Sequence, residues 1–393
     1  MNASLVIVGG GPVGLAFALA ASRLANVDVT VVERNATPGA ALALSAPFDH
    51  RVYALSPASL EFLGELGASP DAVRAAPVRT MQVWGDDGES HLDLAKGEPI
   101  ATIVEHAALM AALEQAVARA EGTGGTGGIR MLRGVTPKAM HVNENGNCRE
   151  LAMADGSMLR ADLLIGADGS RSNIREWAGI SADTKDYQSD GIVANFHAEF
   201  AHGDVARQWF TNEFVLAFLP LPQKQISIVW SVAKAKSDAL KDLADDQFCD
   251  AVAVAGHHAL GKLTLASPIA RFPLARVVAS HWCGAGLALM GDAAHAVHPL
   301  AGQGVNLGFA DARTLFEILS QRSKFSELGD IMVLRKYERA RRESTLALSE
   351  VTDKLRALYL SDAKAAGWMR NDGLALLNRL PQAKAALIDY AIS

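Results

Sequence analysis

Leu5-Val6-Ile7-Val8 runs directly into Gly9-Gly10-Gly11-Pro12-Val13-Gly14, and this junction constrains the fold more than any other stretch of the chain. The four apolar residues read as a strand buried on both faces. A helical pattern follows from about residue 13 to 24, and residues 27–33 form a second β-branched run that ends on Glu33. Strand, glycine turn, helix and strand make a βαβ unit with a parallel sheet. In such a unit Gly9 permits the tight turn, Gly11 lets backbone approach a pyrophosphate, and Gly14 lets helix and strand pack closely. Pro12 stands at the helix start, where free amides and the dipole favour phosphate. Glu33, with Arg34 beside it, lies where a carboxylate accepts from ribose hydroxyls. The unit reads as a dinucleotide site; by itself it does not choose between FAD and NAD.

A chain of 393 residues implies two or three domains. Half of the residues are hydrophobic and 20% are charged, as in a well-packed protein with little disorder. A net charge of -6 argues against nucleic acid as a partner. Cys148, Cys249 and Cys283 are odd in number and unpaired in spacing, which fits a reducing, cytoplasmic setting without disulfides or structural zinc. The N-terminus lacks the basic residues of a signal peptide, and no apolar run reaches the roughly 18–20 residues that span a bilayer. A soluble protein, or one bound peripherally at a membrane, is expected.

Further along, Ser56-Pro57 starts a helix. Short strands are expected around residues 129–135, 138–142 and 150–154, with Asp155-Gly156 as a hairpin turn. Residues 162–165 form another buried strand. From about 186 to 270 the pattern changes to strands near 192–200, 214–219 and 226–232, which reads as a mostly antiparallel second domain. Residues 286–290 return to the buried type, and a long amphipathic helix runs from about 331 to 359 before a helical tail. The expected division is a discontinuous domain over 1–75, 100–185 and 271–330, a β-sheet substrate domain over 76–99 and 186–270, and a helical segment over 331–393. The glycine run 122–128 precedes a strand and lacks the Lys-Ser/Thr of a P-loop, so it reads as a connector.

Two strand ends carry a glycine–aspartate pair. Gly166-Ala167-Asp168-Gly169 resembles the DG fingerprint of flavin-dependent hydroxylases, and Gly291-Asp292-Ala293-Ala294-His295 resembles their GD fingerprint, whose aspartate holds the ribityl chain of FAD. His298-Pro299-Leu300-Ala301-Gly302-Gln303-Gly304-Val305-Asn306-Leu307-Gly308-Phe309-Ala310-Asp311 follows at once. It is similar to the His-Pro-x-x-Gly-Gln-Gly-x-Asn-x-Gly-x-x-Asp signature of the ubiquinone-biosynthesis hydroxylase family. Asp49-His50-Arg51-Val52-Tyr53-Ala54-Leu55-Ser56 resembles that family's Asp-x-Arg-x-x-Ala-Leu-Ser, and residues 369–374 and 380–384 extend the likeness to the tail. The likeness is weakest from about 186 to 270. His106 stands where relatives commonly have Asn, so no role is carried onto it. Phe214-Val215 stands where relatives often have Gly-Pro, and the bulkier residues are expected to reshape the substrate side.

The resemblance implies an α/β fold of the p-hydroxybenzoate hydroxylase type, with a Rossmann-like FAD domain, an inserted β substrate domain and C-terminal helices. It also implies an FAD-dependent monooxygenase with NAD(P)H as transient reductant and O2 as co-substrate, hydroxylating a polyprenylated phenol or benzoquinol of ubiquinone synthesis through a flavin C4a-hydroperoxide. A membrane surface or a biosynthetic complex is the implied partner. The expected cofactor residues are Gly9, Gly11, Pro12, Gly14, Glu33, Arg34, Arg51, Asp168, Gly291, Asp292, Pro299, Gly302, Gly304, Val305 and Asn306. The resemblance sets the amides of Val305 and Asn306 near the flavin C2 carbonyl and Pro299 beside the reactive face; no side chain is assigned as acid or base. Trp209, Phe218 and Trp230 fit a sheet core or a substrate wall and are carried as candidate substrate contacts. His295 and His298 lack a third ligand, so no metal is expected. Arg335, Lys336, Arg339, Arg341 and Arg342 read as a solvated helix face. A soluble-phenol hydroxylase and a non-catalytic flavoprotein subunit are the alternatives.

Overall fold

The computed structural model describes residues 2–359 except 38–41, 44, 86–90, 96, 122–127, 144–148 and 298–303. The apolar runs form a six-stranded sheet in the order Cys283–Gly284, Leu287–Leu289, Leu163–Gly166, Ala3–Val8, Val27–Glu33 and Ile129–Arg133. Every pairing is parallel except that of the two-residue edge strand. Leu5 sits between Leu163 and Val29, and it is shielded completely from water. Strands covered on both faces must be apolar throughout, which is why these runs do not alternate.

Helix Pro12–Ala21 is apolar on every side because it is enclosed: Gly14 through Ala21 are all buried. Helix His106–Glu121 and helix Gly304–Ser320 pack against it. Gly308 makes the second of these contacts possible, since a Cβ there would lie 2.3 Å from Val13 Cγ2. Helix Pro57–Glu65 starts as expected, with Ser59 N–H donating to the Ser56 hydroxyl and proline in the first turn.

The second large sheet runs His295–Ala296, Ala270–Ala279, Ala182–Ala198, Gln225–Ala233, Phe214–Leu221, Val205–Phe210, Thr80–Trp84 and His91–Ala95, with Leu263–Leu265 joined to one strand off this path. Only the pairing of Val205–Phe210 with Thr80–Trp84 is parallel. Two features depart from the sequence reading. Strand Ala270–Ala279 hydrogen-bonds to Ala182–Ala198 although most of it was assigned to the first domain, so the pairing of this sheet reaches past both expected edges. Helices Lys234–Lys241 and Asp245–Ala255 were not anticipated; Phe248, Cys249 and Val252 cover one face of the sheet. Small three-stranded sheets are formed by Pro137–Val142, Arg149–Met153 and Met158–Ala161, and by Val52–Leu55, Ala101–Glu105 and Ala75–Val78.

Helix Ile331–Tyr359 buries Val333, Leu334 and Tyr337 in the main core. Farther along, Asp353 accepts from the Tyr187 hydroxyl and pairs with Lys185 at 3.3 Å and Arg276 at 3.4 Å, fastening the helix to the large sheet. The supposed solvated face is therefore divided. Arg335, Lys336 and Arg339 are exposed, but Arg341 turns inward to Asp311 because a buried carboxylate there needs a counter-charge. Tail residues 369–374 and 380–384 lie outside the described residues.

Candidate active site

The glycine turn has the geometry its spacing implied. Gly9 has φ +116°, and a Cβ there would fall 2.2 Å from the Ala167 carbonyl oxygen. At Gly14 a Cβ would lie 2.0 Å from Gly9 O, whereas at Gly11 it would meet nothing within 4 Å. Two glycines thus serve the packing of the turn, and the third, the N-cap of helix Pro12–Ala21, faces open space. A phosphate can reach backbone amides only through such a gap.

Glu33 closes the turn from the next strand. Its Oε2 accepts from Gly10 N–H at 2.7 Å and its Oε1 from Asn35 N–H at 2.8 Å. Each oxygen keeps a further lone pair for a hydroxyl. Arg34, just beyond, is exposed.

The two aspartate fingerprints meet beside this turn. Asp168 accepts from the Ser172 hydroxyl at 2.5 Å and from Ile174 N–H at 3.2 Å, organising the start of helix Asn173–Trp177. Arg175 then donates to Ala293 O and Ser170 O, both at 2.8 Å, and ties one fingerprint to the other. Gly291 adopts φ +56°. Asp292, the next residue, opens onto solvent and takes no hydrogen bond from a described residue. Although the residue has exposed surface, the protein packed around its carboxyl partly desolvates it, and this burial raises the carboxyl above the usual range, with His295 and Arg51 pulling the other way. An open carboxylate without a partner at this place fits the hydroxylated chain of FAD.

Behind Asp292 is a wholly buried Asp311. It accepts from Gly291 N–H at 3.0 Å, from His295 Nε2 at 2.6 Å and from Arg341 Nε at 2.9 Å. Burial alone would push this carboxyl up, but His295 and Arg341 outweigh it and hold it below the ordinary value. His295 thus has a carboxylate partner in Asp311, and among the described residues no group of three potential metal ligands occurs.

Asn306 stitches the first turn of helix Gly304–Ser320 to the neighbouring strand and helix. Its Oδ1 accepts from Ser56 N–H at 3.1 Å and Ser59 Oγ at 2.8 Å, and its Nδ2 donates to Ala54 O at 2.9 Å. The side chain is occupied by the protein, so it is the main chain at the start of this helix, with its end potential, that can address a ligand. Pro299 and Gly302 lie outside the described residues.

Arg51 is exposed, with its guanidinium 5.3 Å from the Tyr53 ring centroid. The Tyr53 hydroxyl and His106 Nδ1 are 3.0 Å apart. Burial pushes Tyr53 up to about 12 against the pull of Arg51, and burial together with Arg51 lowers His106. Sequence reasoning left Tyr53 without a role because it stands at an unspecified position of the Asp49–Ser56 motif, and His106 because it departs from the residue common in relatives; the strand-to-helix turn at Glu105 and His106 brings them together.

Trp209, Phe218 and Trp230 do not join this group. All three are at most 2% exposed. Trp209 stacks on Trp84 at 5.1 Å and meets Phe218 edge-on at 4.8 Å, while Trp230 lies 6.2 Å from Phe248 of the covering helix. They form the core between sheet and helices, the first of the two readings the sequence offered for them. Strand alternation sends Val193, Asn195, Ala217, Val229 and Ser231 to the opposite face. Asn195 Nδ2 on that face reaches Phe48 O at 3.1 Å and Asp49 O at 3.0 Å, on the segment leading to Arg51.

Comparison with known proteins agrees with this geometry. Residues 2–351 match the model of an FAD binding domain family. The chain is 32% identical over 401 residues to 3-demethoxyubiquinol 3-hydroxylase of Escherichia coli (strain K12), covering 99% of this chain and 98% of that one. It is also 32% identical over 429 residues to the mitochondrial ubiquinone biosynthesis monooxygenase COQ6 of Mus musculus, covering 98% and 90%. Among solved structures, p-nitrophenol 4-monooxygenase PnpA from Pseudomonas putida DLL-E4 superposes with a TM-score of 0.75 at 18% identity, over 100% of this chain and 98% of that one, and shares the fold. With fingerprints, topology and full-length relatives in agreement, the chain belongs to the FAD-binding domain family and, within it, to the FAD-dependent monooxygenases of the ubiquinone-biosynthesis type.

Proposed function

We propose that this protein hydroxylates the ring of a polyprenylated phenol or benzoquinol intermediate of ubiquinone biosynthesis, with O2 as oxygen source and NAD(P)H as reductant. The observation that carries this reading is the near-complete coverage of the 3-demethoxyubiquinol 3-hydroxylase, together with a cleft suited to FAD. Reduced FAD supplies the activated oxygen, and the protein supplies binding, orientation and exclusion of water. Gly9, Gly11, Pro12 and Gly14 receive the pyrophosphate at the helix end. Glu33 and Arg34 take the adenosine side, with Asp168 and Gly291 shaping the walls. Asp292 holds the ribityl hydroxyls, and Arg51 balances negative charge across the cleft. The amides of Gly304, Val305 and Asn306 face the pyrimidine edge of the flavin, where helix-end potential favours the reduced, anionic ring. Pro299 and Gly302 are assigned to the cofactor by resemblance alone.

Val193, Ala217 and Val229 form the wall on which the substrate ring lies, on the sheet face opposite the aromatic core. The proposed domains keep the division read from sequence, with Ala270–Ala279 added to the substrate sheet. Among the described residues no helix is long and apolar enough to cross a membrane. A prenylated substrate lives in a bilayer, so the protein works as a peripheral visitor to the membrane or within a biosynthetic complex.

The test is a deletion strain whose quinones are analysed by mass spectrometry. An under-hydroxylated prenylated ring should accumulate, and the Asp292→Ala gene should fail to restore the product. Normal ubiquinone in a strain with no substituting hydroxylase would refute the assignment. Turnover confined to phenols without a tail would move the function to soluble aromatic substrates.

A further inference from the structure

Three buried polar side chains from three separate elements converge on the short segment Ala46–Asp49, which leads to Arg51. Arg74, from the 3-10 turn Ala72–Arg74, donates from Nη1 to Ala46 O at 2.6 Å and from Nη2 to Pro47 O at 3.3 Å. Its guanidinium lies 4.1 Å from the centroid of the Phe48 ring. Glu105, the last residue of strand Ala101–Glu105, accepts from Arg74 Nε through Oε1 and from Asp49 N–H through Oε2, both at 2.5 Å. Asn195, from the large sheet, donates to the carbonyls of both Phe48 and Asp49. Arg74 is 1% exposed, and Glu105 and Asn195 have no exposed surface.

Burying an arginine, a glutamate and an asparagine around one stretch of loop is costly unless the geometry they hold is needed. Two residues past Asp49 the chain delivers Arg51, whose main-chain N–H donates to Asp49 Oδ1 at 3.0 Å and whose carbonyl accepts from His106 N–H at 2.8 Å. The backbone on either side of Arg51 is thus pinned while its guanidinium stays exposed. We infer that Arg74, Glu105 and Asn195 are positioning residues that hold Arg51 at the FAD cleft, with Asn195 linking the substrate sheet to the cofactor. The inference rests on the proposed contact of Arg51 with FAD. It goes further by making the large sheet, which carries the substrate wall, part of the device that places a cofactor ligand.

The experiment is a double-mutant cycle read as the Kd of the apoprotein for FAD, by flavin fluorescence quenching, on the full chain. Asn195→Ala should weaken FAD by about fivefold to tenfold, the loss expected when two buried hydrogen bonds that orient the arm are removed. Glu105→Gln should act in the same direction. The decisive variant is Asn195→Ala with Arg51→Ala: if Asn195 acts through Arg51, the pair binds FAD no more weakly than Arg51→Ala alone. A general loss of stability would not produce that saturation, because it would multiply with the Arg51 effect. Multiplying effects, or an Asn195→Ala Kd within about twofold of wild type, overturn the inference. So does failure of both Asn195→Ala and Glu105→Gln to give folded protein by circular dichroism, since the residues would then be determinants of the fold. If Arg51→Ala alone leaves FAD affinity unchanged, the cofactor reading of Arg51 has failed and the inference falls with it, a result visible in the single variant.

Discussion

Replacing Asp311 by asparagine removes one negative charge from a site with no exposed surface, and the structure says what that charge does. It binds three donors: the Gly291 amide that precedes Asp292, His295 Nε2, and Arg341 Nε from the C-terminal helix. Breaking a buried ion pair by neutralising one partner costs about 3–5 kcal/mol, because the remaining charge is stranded away from water. Asparagine keeps one acceptor oxygen, so Asp311→Asn should fall at the lower end, about 3 kcal/mol. Urea unfolding followed by circular dichroism should show a midpoint lowered by about 1 M or more, for slopes of about 1–3 kcal/mol per M. Arg341→Met leaves the carboxylate without its guanidinium and should cost a similar amount, and the double variant should lose less than the sum. The pH dependence has a defined sign. The folded carboxyl lies below its unfolded value, so its contribution is complete above about pH 4 and disappears as pH falls toward the folded value. The gap between wild type and Asp311→Asn should therefore close in acid. An Asp311→Asn midpoint within about 0.3 M of wild type at pH 7, which is under 1 kcal/mol on those slopes, would refute the argument that the triad holds the turn.

Asp292→Ala should lose most bound FAD while its far-ultraviolet spectrum and melting midpoint stay near wild type; full flavin occupancy would contradict the role given to the open carboxylate. Gly14→Ala should yield little folded flavoprotein, because its Cβ would meet Gly9 O at 2.0 Å and backbone cannot yield as a side chain can; normal expression and FAD affinity would show that the turn is looser than this. Trp230→Ala should destabilise by about 3–5 kcal/mol as a large core deletion, with KM for the aromatic substrate unchanged at a temperature where the variant is folded; a KM change without destabilisation would return Trp230 to the substrate wall. Cys283, pushed up to about 12 by burial and by Glu338, should resist alkylation at pH 8 in the native protein and react on unfolding, as peptide mass mapping would show.

The cofactor half was legible because its information is local. Gly9 and Gly14 are required by contacts within a few residues or with the adjoining strand, and Gly11 between them faces open space, so their spacing reports their geometry. The ends of strands Leu163–Gly166 and Leu287–Leu289 could be read as cleft edges because parallel sheets place ligands beyond the carboxyl ends of their strands. Asp311 was visible as a motif residue, but its partner Arg341 lies on a helix whose charges looked evenly solvated. A cluster of arginines does not reveal which member faces a buried carboxylate.

The substrate sheet shows where local information stops. Ile226, Ile228, Trp230 and Val232 alternate with Ser227, Val229 and Ser231, and alternation separates two faces without saying what lies against either. The bulky face needs a cover. Helices Lys234–Lys241 and Asp245–Ala255 provide it, and the sequence reading assigned no element to that stretch. That layer separates the two readings of the aromatics: the large rings lie under the helices, and the smaller residues Val193, Ala217 and Val229 face the other way. The same pleat sends Asn195 toward Phe48 and Asp49, so one strand contributes to the proposed substrate wall and to the contacts on the segment leading to Arg51. A substitution at Val193 that shifts this strand should therefore disturb FAD binding as well as substrate choice, whereas one at Ala217, two strands away, should alter substrate choice alone.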